Sequence, residues 1–168
     1  MDVMDAIYGR RSVRAYTEQP VDKPTIERLI EAATQAPSSM NEQPWAFVVV
    51  QDQNRLTKWS DRIKKSVLKR LKPDSPIGKY RDMLADPTYH VFHRAGTLII
   101  ICAKPQTHNG KEDCSLAGFA RPWLTQARNR RSLSIPNGYV PVFPLVVGCP
   151  SGETSSVSRR PPEVLFWE

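Results

Sequence analysis

Ala36-Pro37-Ser38-Ser39-Met40-Asn41-Glu42-Gln43-Pro44-Trp45-Ala46-Phe47-Val48-Val49-Val50 is the stretch on which the fold turns. Upstream of it, Asp22 is placed to cap a helix that carries Pro24 in its first turn. Ile26, Leu29, Ile30 and Ala33 then recur at the helical interval. Pro37 stops that helix, because the residue before a proline is pushed out of the α region. Downstream, Ala46 to Val50 is an apolar run of β-formers without polar alternation, which predicts a strand buried on both faces.

Working outward, residues 2–9 predict a short helix with Val3, Met4 and Ile7 on one side. Gln53 to Leu71 predicts a polar helix with Leu56, Trp59, Ile63, Val67 and Leu71 along its inner face. Residues 73–94 carry Pro73, Pro76 and Pro87 with little periodicity and read as a variable surface region. Thr97 to Ala103 is a second buried strand. Val142 to Val147 is a third, where Pro144 calls for an edge position or a bulge. The tail from Pro150 to Glu168, rich in Ser, Pro and Arg, is expected to be extended. Strands separated by helices point to an α+β or three-layer α/β domain, and 168 residues, without internal repeat, is the length of one domain, 1–168.

Composition bounds the function. The formal net charge of +7 raises the question of a nucleic-acid partner, but the basic runs at 58–72 and 121–131 lack the interleaved aromatics that stack bases. A solvated basic face, which also draws in anionic nucleotides, is the reading adopted, with no nucleic-acid partner. The longest apolar run, Thr97 to Ala103, falls far short of the roughly 20 residues that span a bilayer, so no membrane partner is expected. Met1-Asp2-Val3 lacks the basic-then-apolar order of a secretory signal. Three cysteines, Cys102, Cys114 and Cys149, without C-x-x-C spacing read as reduced thiols in the cytoplasm. His90, His93 and His108 have no metal-ligand spacing and read as surface residues. Cys114 follows Glu112-Asp113 near a helix start but has no paired histidine, so no nucleophile and no catalytic side chain is assigned.

Arg10-Arg11-Ser12-Val13-Arg14 closes the first helix with three guanidiniums that repel one another unless an anion lies among them. Guanidinium forks and hydroxyls suit a phosphate; a solvated basic turn is the plain alternative. Asn41 and Gln43 alternate in what reads as an extended segment, which puts both amides on one side, able to meet the carbonyls and ring nitrogens of a flat heterocycle. The alternative is a connection whose side chains merely satisfy its own backbone. Arg159-Arg160, before Pro161-Pro162, is either a further anion clamp or a solvated basic tail.

With R-R-S-V-R at 10–14 and P-S-S-M-N-E-Q-P-W at 37–45, the chain resembles the FMN-dependent nitroreductase family. Ile135 to Val142 and Val157 to Glu163 are similar to that family's closing strand and tail, so the likeness covers about 1–60 and 95–168. The resemblance implies a nitroreductase-like three-layer α/β/α fold of the α+β class, with a central mostly antiparallel sheet. It implies a homodimer with flavin at the interface, FMN as cofactor, NAD(P)H as electron donor, and a small-molecule acceptor such as a nitroaromatic or quinone. By the same likeness Arg10, Arg11 and Ser12 hold the phosphate and Arg14 lies near the flavin's polar edge. Pro37, Ser38, Ser39, Asn41 and Gln43 line the flavin, while Arg159 and Arg160 supply a second clamp, chiefly through Arg159. One departure stands out. In relatives a segment like Glu112 to Ala117 opens a long core helix, yet here Ala117 runs directly into Gly118-Phe119-Ala120-Arg121-Pro122-Trp123. Roughly five helical turns, a turn and a short strand are missing on this reading. Loss of that helix makes a flavin-binding scaffold without turnover the alternative function.

Overall fold

Strand β2, Thr97–Ala103, is buried along its whole length and forms the middle of an antiparallel sheet. β1, Trp45–Val50, flanks it on one side and β3, Val140–Val147, on the other, in the order β1-β2-β3 among the described residues. The computed structural model describes residues 2–17, 19–71, 78–116, 134–154, 158–161 and 163. Five helices complete that part: α1 Val3–Gly9, α2 Lys23–Ala33, α3 Gln53–Arg70, α4 Arg81–Ala85 and α5 Gly110–Leu116.

The alternation of side chains along a strand divides the core in two. Leu98, Ile100 and Cys102 of β2, with Val50 and the partly buried Ala46 and Val48, pack against Leu56, Trp59 and Ile63 of α3. Ile101 and Ala103, with Trp45 and Val142, pack on the opposite face against Cys114 of α5. Helix, sheet and helix therefore form three layers, as an α+β fold with an antiparallel sheet requires.

Three of the helices, α1, α2 and α3, start where an aspartate supplies a cap. Asp22 accepts from the Thr25 amide at 3.1 Å and Asp52 from the Arg55 amide at 3.1 Å. Asp2 and Asp5 form a reciprocal capping box at the start of α1. Helix α3 obeys the predicted stripe: Leu56, Trp59, Ile63 and Leu71 are buried and Val67 packs partly buried beside them. Pro144 pairs in register with Ile100 in β3, an outer strand of the three described, which meets the edge alternative; the β2–β3 register shift at Ile101/Cys102 falls at Val142 instead.

The surface reading of 73–94 needs correction. Residues 72–77 lie outside the described part, but 78–94 contain α4, and both Phe92 and His90 are buried. The cause is Lys64, whose ammonium is drawn inward from α3. It donates to the carbonyls of Asp86, Pro87 and Tyr89 at 3.3, 3.4 and 2.8 Å. Ser60 Oγ accepts from the Val91 amide at 3.0 Å, and His90 Nδ1 accepts from the Phe92 amide at 3.2 Å. A segment anchored through its backbone carries no hydrophobic period for sequence to reveal. His90 is thus a buried acceptor, not a surface residue. Burial, with the Arg94 and Lys64 cations next in weight, lowers its pKa.

The excision expected after Ala117 falls in 117–133, outside the described residues. Cys102 and Cys114 are buried, and burial pushes each thiol from the ordinary 9.0 up to about 11. A nucleophilic Cys114 is disfavoured accordingly, since the thiolate is the reactive form. Alkylation at pH 8 is expected to label Cys149 well before the other two thiols, whose labelling should follow unfolding; mass spectrometry of the folded protein checks this. Because the folded-state pKa values are raised, this pair's contribution to stability is complete below about pH 9 and fades as pH climbs towards 11.

Candidate functional site

The two ends of the described chain are annealed to each other. Tyr16 and Pro150 form an antiparallel bridge, the Thr17 amide donates to the Cys149 carbonyl at 2.8 Å, and the Ser151 amide donates to the Ala15 carbonyl at 3.1 Å. Tyr16 lies against Gly148, where a β-carbon would come within 2.8 Å of the ring. Glycine is required there by that close approach. The tyrosine's hydroxyl donates back to the Val13 carbonyl at 3.2 Å, and burial of the ring raises its pKa.

This clamp makes a cleft of about 1090 Å³ between the end of α1 and the segment after β3. Arg10, Arg11, Ser12 and Arg14 line one wall; Ser151, Glu153, Thr154 and Arg159 line the other. Four arginines thus line the cleft with one acidic residue, Glu153. Opposite charges cannot neutralise such a set, so it favours a doubly charged anion. Arg11 also has a local task. Its Nη1 donates to the Tyr8 and Arg10 carbonyls at 2.6 and 3.0 Å, closing the C-terminus of α1. Arg160 is exposed and does not line the cleft.

The segment Pro37–Gln43 lies outside that cleft's lining and forms a cluster of its own. It is not extended. A tight turn spans Ser39–Asn41, and Met40, Asn41 and Gln43 take φ of 52°, 56° and 47°. Left-handed backbone costs a non-glycine residue roughly 1–2 kcal/mol, so something must hold the loop. Inside it, Ser38 Oγ accepts from the Gln43 amide at 3.1 Å. From outside, Lys104 Nζ donates to the Gln43 carbonyl at 3.2 Å and the His108 amide donates to Glu42 Oε2 at 2.9 Å. The predicted convergence of the amides survives this change of backbone. Gln43 Nε2 donates to Asn41 Oδ1 at 2.9 Å, and both side chains are exposed. What remains open to solvent is a donor on Asn41 Nδ2, an acceptor on Gln43 Oε1 and the second Gln43 Nε2 proton. The pair thus still offers both donors and an acceptor to the polar edge of a flat ring.

Structure therefore joins Arg10, Arg11, Ser12 and Arg14 to Arg159, joins Ser38, Ser39, Asn41 and Gln43 in a second place, and leaves Arg160 apart. Sequence reasoning missed Tyr16, Gly148 and the wall at 151–154. Gly148, directly after an apolar strand, was the only available sign. Among the described residues no His, Cys, Asp and Glu group could hold a metal, and no helix is long and apolar enough to cross a membrane.

The family model described as Nitroreductase family matches residues 7–127. An Archaeoglobus fulgidus protein provisionally named NADH dehydrogenase/NAD(P)H nitroreductase is 43% identical over 60 residues, which is 36% of this chain and 34% of that protein. The Bacillus subtilis FMN reductase [NAD(P)H] is 38% identical over 60 residues, 36% of this chain and 24% of the reductase. The chain thus spans about a third or less of the length of these curated relatives. In three dimensions it is similar to a Bacteroides fragilis nitroreductase with bound FMN, at a TM-score of 0.79 and 20% identity over 100% of both chains. That likeness establishes the fold.

Titration with inorganic pyrophosphate is expected to be weakened tenfold or more by Arg10→Ala and by Arg159→Ala, as loss of a charge-assisted bond worth about 1.5–3 kcal/mol implies. Arg160→Ala should leave the affinity unchanged. Equal effects at 159 and 160, read by calorimetry, would mean that bulk charge and not the cleft binds the anion.

Proposed function

Because the chain belongs to the nitroreductase family, we propose that it binds FMN and catalyses oxidation of NAD(P)H by a nitroaromatic, quinone or similar small acceptor. The observation that carries this reading is the gathering of Arg10, Ser12, Arg14 and Arg159 from opposite ends of the sequence into one cleft. The residues fit the group at both of its extremities. The cleft suits a phosphate, and the free edge of the Asn41–Gln43 pair suits the imide edge of an isoalloxazine ring.

When bound, the flavin supplies the chemistry, taking hydride from the nicotinamide and passing electrons to the acceptor. The chain's own work is binding, orientation and electrostatics. Arg10, Arg11, Ser12 and Arg159 would hold the phosphate, with Arg160 at most a distant charge. Arg14 would counter negative charge at the ring's polar edge, where fixed cations and amide donors act most strongly when water is excluded. Pro37 and Ser38 would shape the loop that presents Asn41 and Gln43. No nucleophile or general base is needed, which agrees with the disabled thiols of Cys102 and Cys114.

The separation of cleft and amide loop within one chain supports the homodimer. Helix α1 buries no residue at all: Val3, Ile7 and Tyr8 are 71%, 60% and 73% exposed, and Ile7 and Tyr8 rim the cleft. Met40, at the tip of the amide loop, is 88% exposed. Apolar rims beside both half-sites are what a two-fold interface would cover, setting one copy's loop against the other copy's cleft.

Purified protein mixed with FMN is expected to retain a flavin absorbance band through gel filtration, to elute as a dimer, and to lose the band's intensity on anaerobic addition of NADH or NADPH. Failure to take up flavin would overturn the proposal. Bound flavin that neither nicotinamide reduces would favour a scaffold without turnover.

A further inference from the structure

The amide loop is gripped at its far end by a buried carboxylate that neither motif contains. Asp113 of α5 is 4% exposed. Its Oδ2 accepts from the Ser39 amide at 3.2 Å and its Oδ1 from the Ser39 hydroxyl at 3.2 Å, across 74 residues of sequence. Asn109 Nδ2 donates to the same hydroxyl at 3.0 Å. Ser39 Oγ has therefore spent its proton on Asp113 and one lone pair on Asn109, and its backbone N–H is spent as well. A serine so engaged is a poor ligand for anything outside the chain.

We infer that Asp113 is the positioning residue for the Asn41–Gln43 amide pair, and that Ser39 serves as its handle on the loop and not as a flavin ligand. The inference deepens the flavin reading and rests on it for its functional half. Three left-handed residues follow Ser39 within four positions, so the loop's path depends on where its first residue is nailed. Lys104 and His108 secure its later carbonyl and carboxylate. Among the described residues, Asp113 and Asn109, one helical turn apart, secure its start from outside the loop. Because α5 packs through Cys114 onto the β2 face, the carboxylate transmits the position of the sheet directly to the loop.

Asp113→Asn preserves volume but turns one acceptor oxygen into a donor, so one of Ser39's two donors, its amide or its hydroxyl, loses its acceptor. In this variant FMN affinity is expected to fall tenfold or more while inorganic pyrophosphate binds as in the unaltered protein. Hydrogen exchange at the Ser39 amide should accelerate by a similar factor, with protection in β2 unchanged. Ser39→Ala, which deletes the hydroxyl's bonds to Asp113 and Asn109 but keeps the amide's bond to Asp113, should give a smaller loss in the same direction and covers the case in which Asp113→Asn does not fold. Unaltered FMN affinity and unaltered exchange at residue 39 in a folded variant would overturn the inference. If the unaltered protein takes up no FMN, the flavin reading fails, and with it the functional half; exchange at Ser39 still decides whether Asp113 holds the loop.

Discussion

Everything in this fold is hung from β2, a strand with neighbours on both sides and apolar cover on both faces. Such a strand has a weakness: with no polar alternation, a one-residue slip exposes nothing and is not punished by burial. Register must be fixed at the ends. At one end the Gln51 side chain donates to Thr97 Oγ1 at 3.0 Å and to the Val21 carbonyl at 2.8 Å. At the other the Lys104 amide donates to the Pro44 carbonyl at 2.7 Å. Pro141 and Pro144 in β3 lack N–H donors, and the register shift at Ile101/Cys102 falls beside them. Polar and imino groups at the margins thus specify what the hydrophobic centre cannot.

Both halves of the site inherit that register. The chain leaving β2 carries Lys104, His108 and Asn109 into α5, which fixes the amide loop. The chain leaving β3 runs through Gly148 to the Tyr16 clamp, which fixes the cleft. A displacement of either edge strand would move one half-site relative to the other, although neither half contains a strand residue.

Much of this was legible in the sequence where a single periodic signal dominated. The α2 and α3 helices, the Asp22 cap and the three strands were placed within a few residues, because propensity and periodicity agree there; full burial holds for β2, whereas Leu29 of α2 and Val49 of β1, read as buried, are exposed. Legibility failed where long-range bonds decide. Ser39 to Gln43 reads as extended because no local signal anticipates a left-handed Met40, and the distant Lys104, His108, Asn109 and Asp113 hold it. His90 and Phe92 read as surface because Lys64, a residue expected in water, is buried to organise them. The union of Arg10 with Arg159 could be taken from the family likeness but not from spacing, since the Tyr16–Pro150 bridge has no sequence pattern.

Two features of the isolated chain are unfavourable, and they lie side by side. Four guanidiniums share a cleft with a single carboxylate, and a seven-residue helix with no buried residue forms its rim. A helix that short has little stability of its own, since nucleation dominates below about 12 residues. Arg11 closes its last turn while lining the cleft. An anion among the arginines would lower their mutual repulsion and steady Arg11. A second copy laid on Val3, Ile7 and Tyr8 would bury the helix's apolar side and dry the cleft, strengthening every charge–charge contact inside it. Ligand and partner therefore favour the same arrangement of α1, so in the proposed dimer each promotes the other's binding.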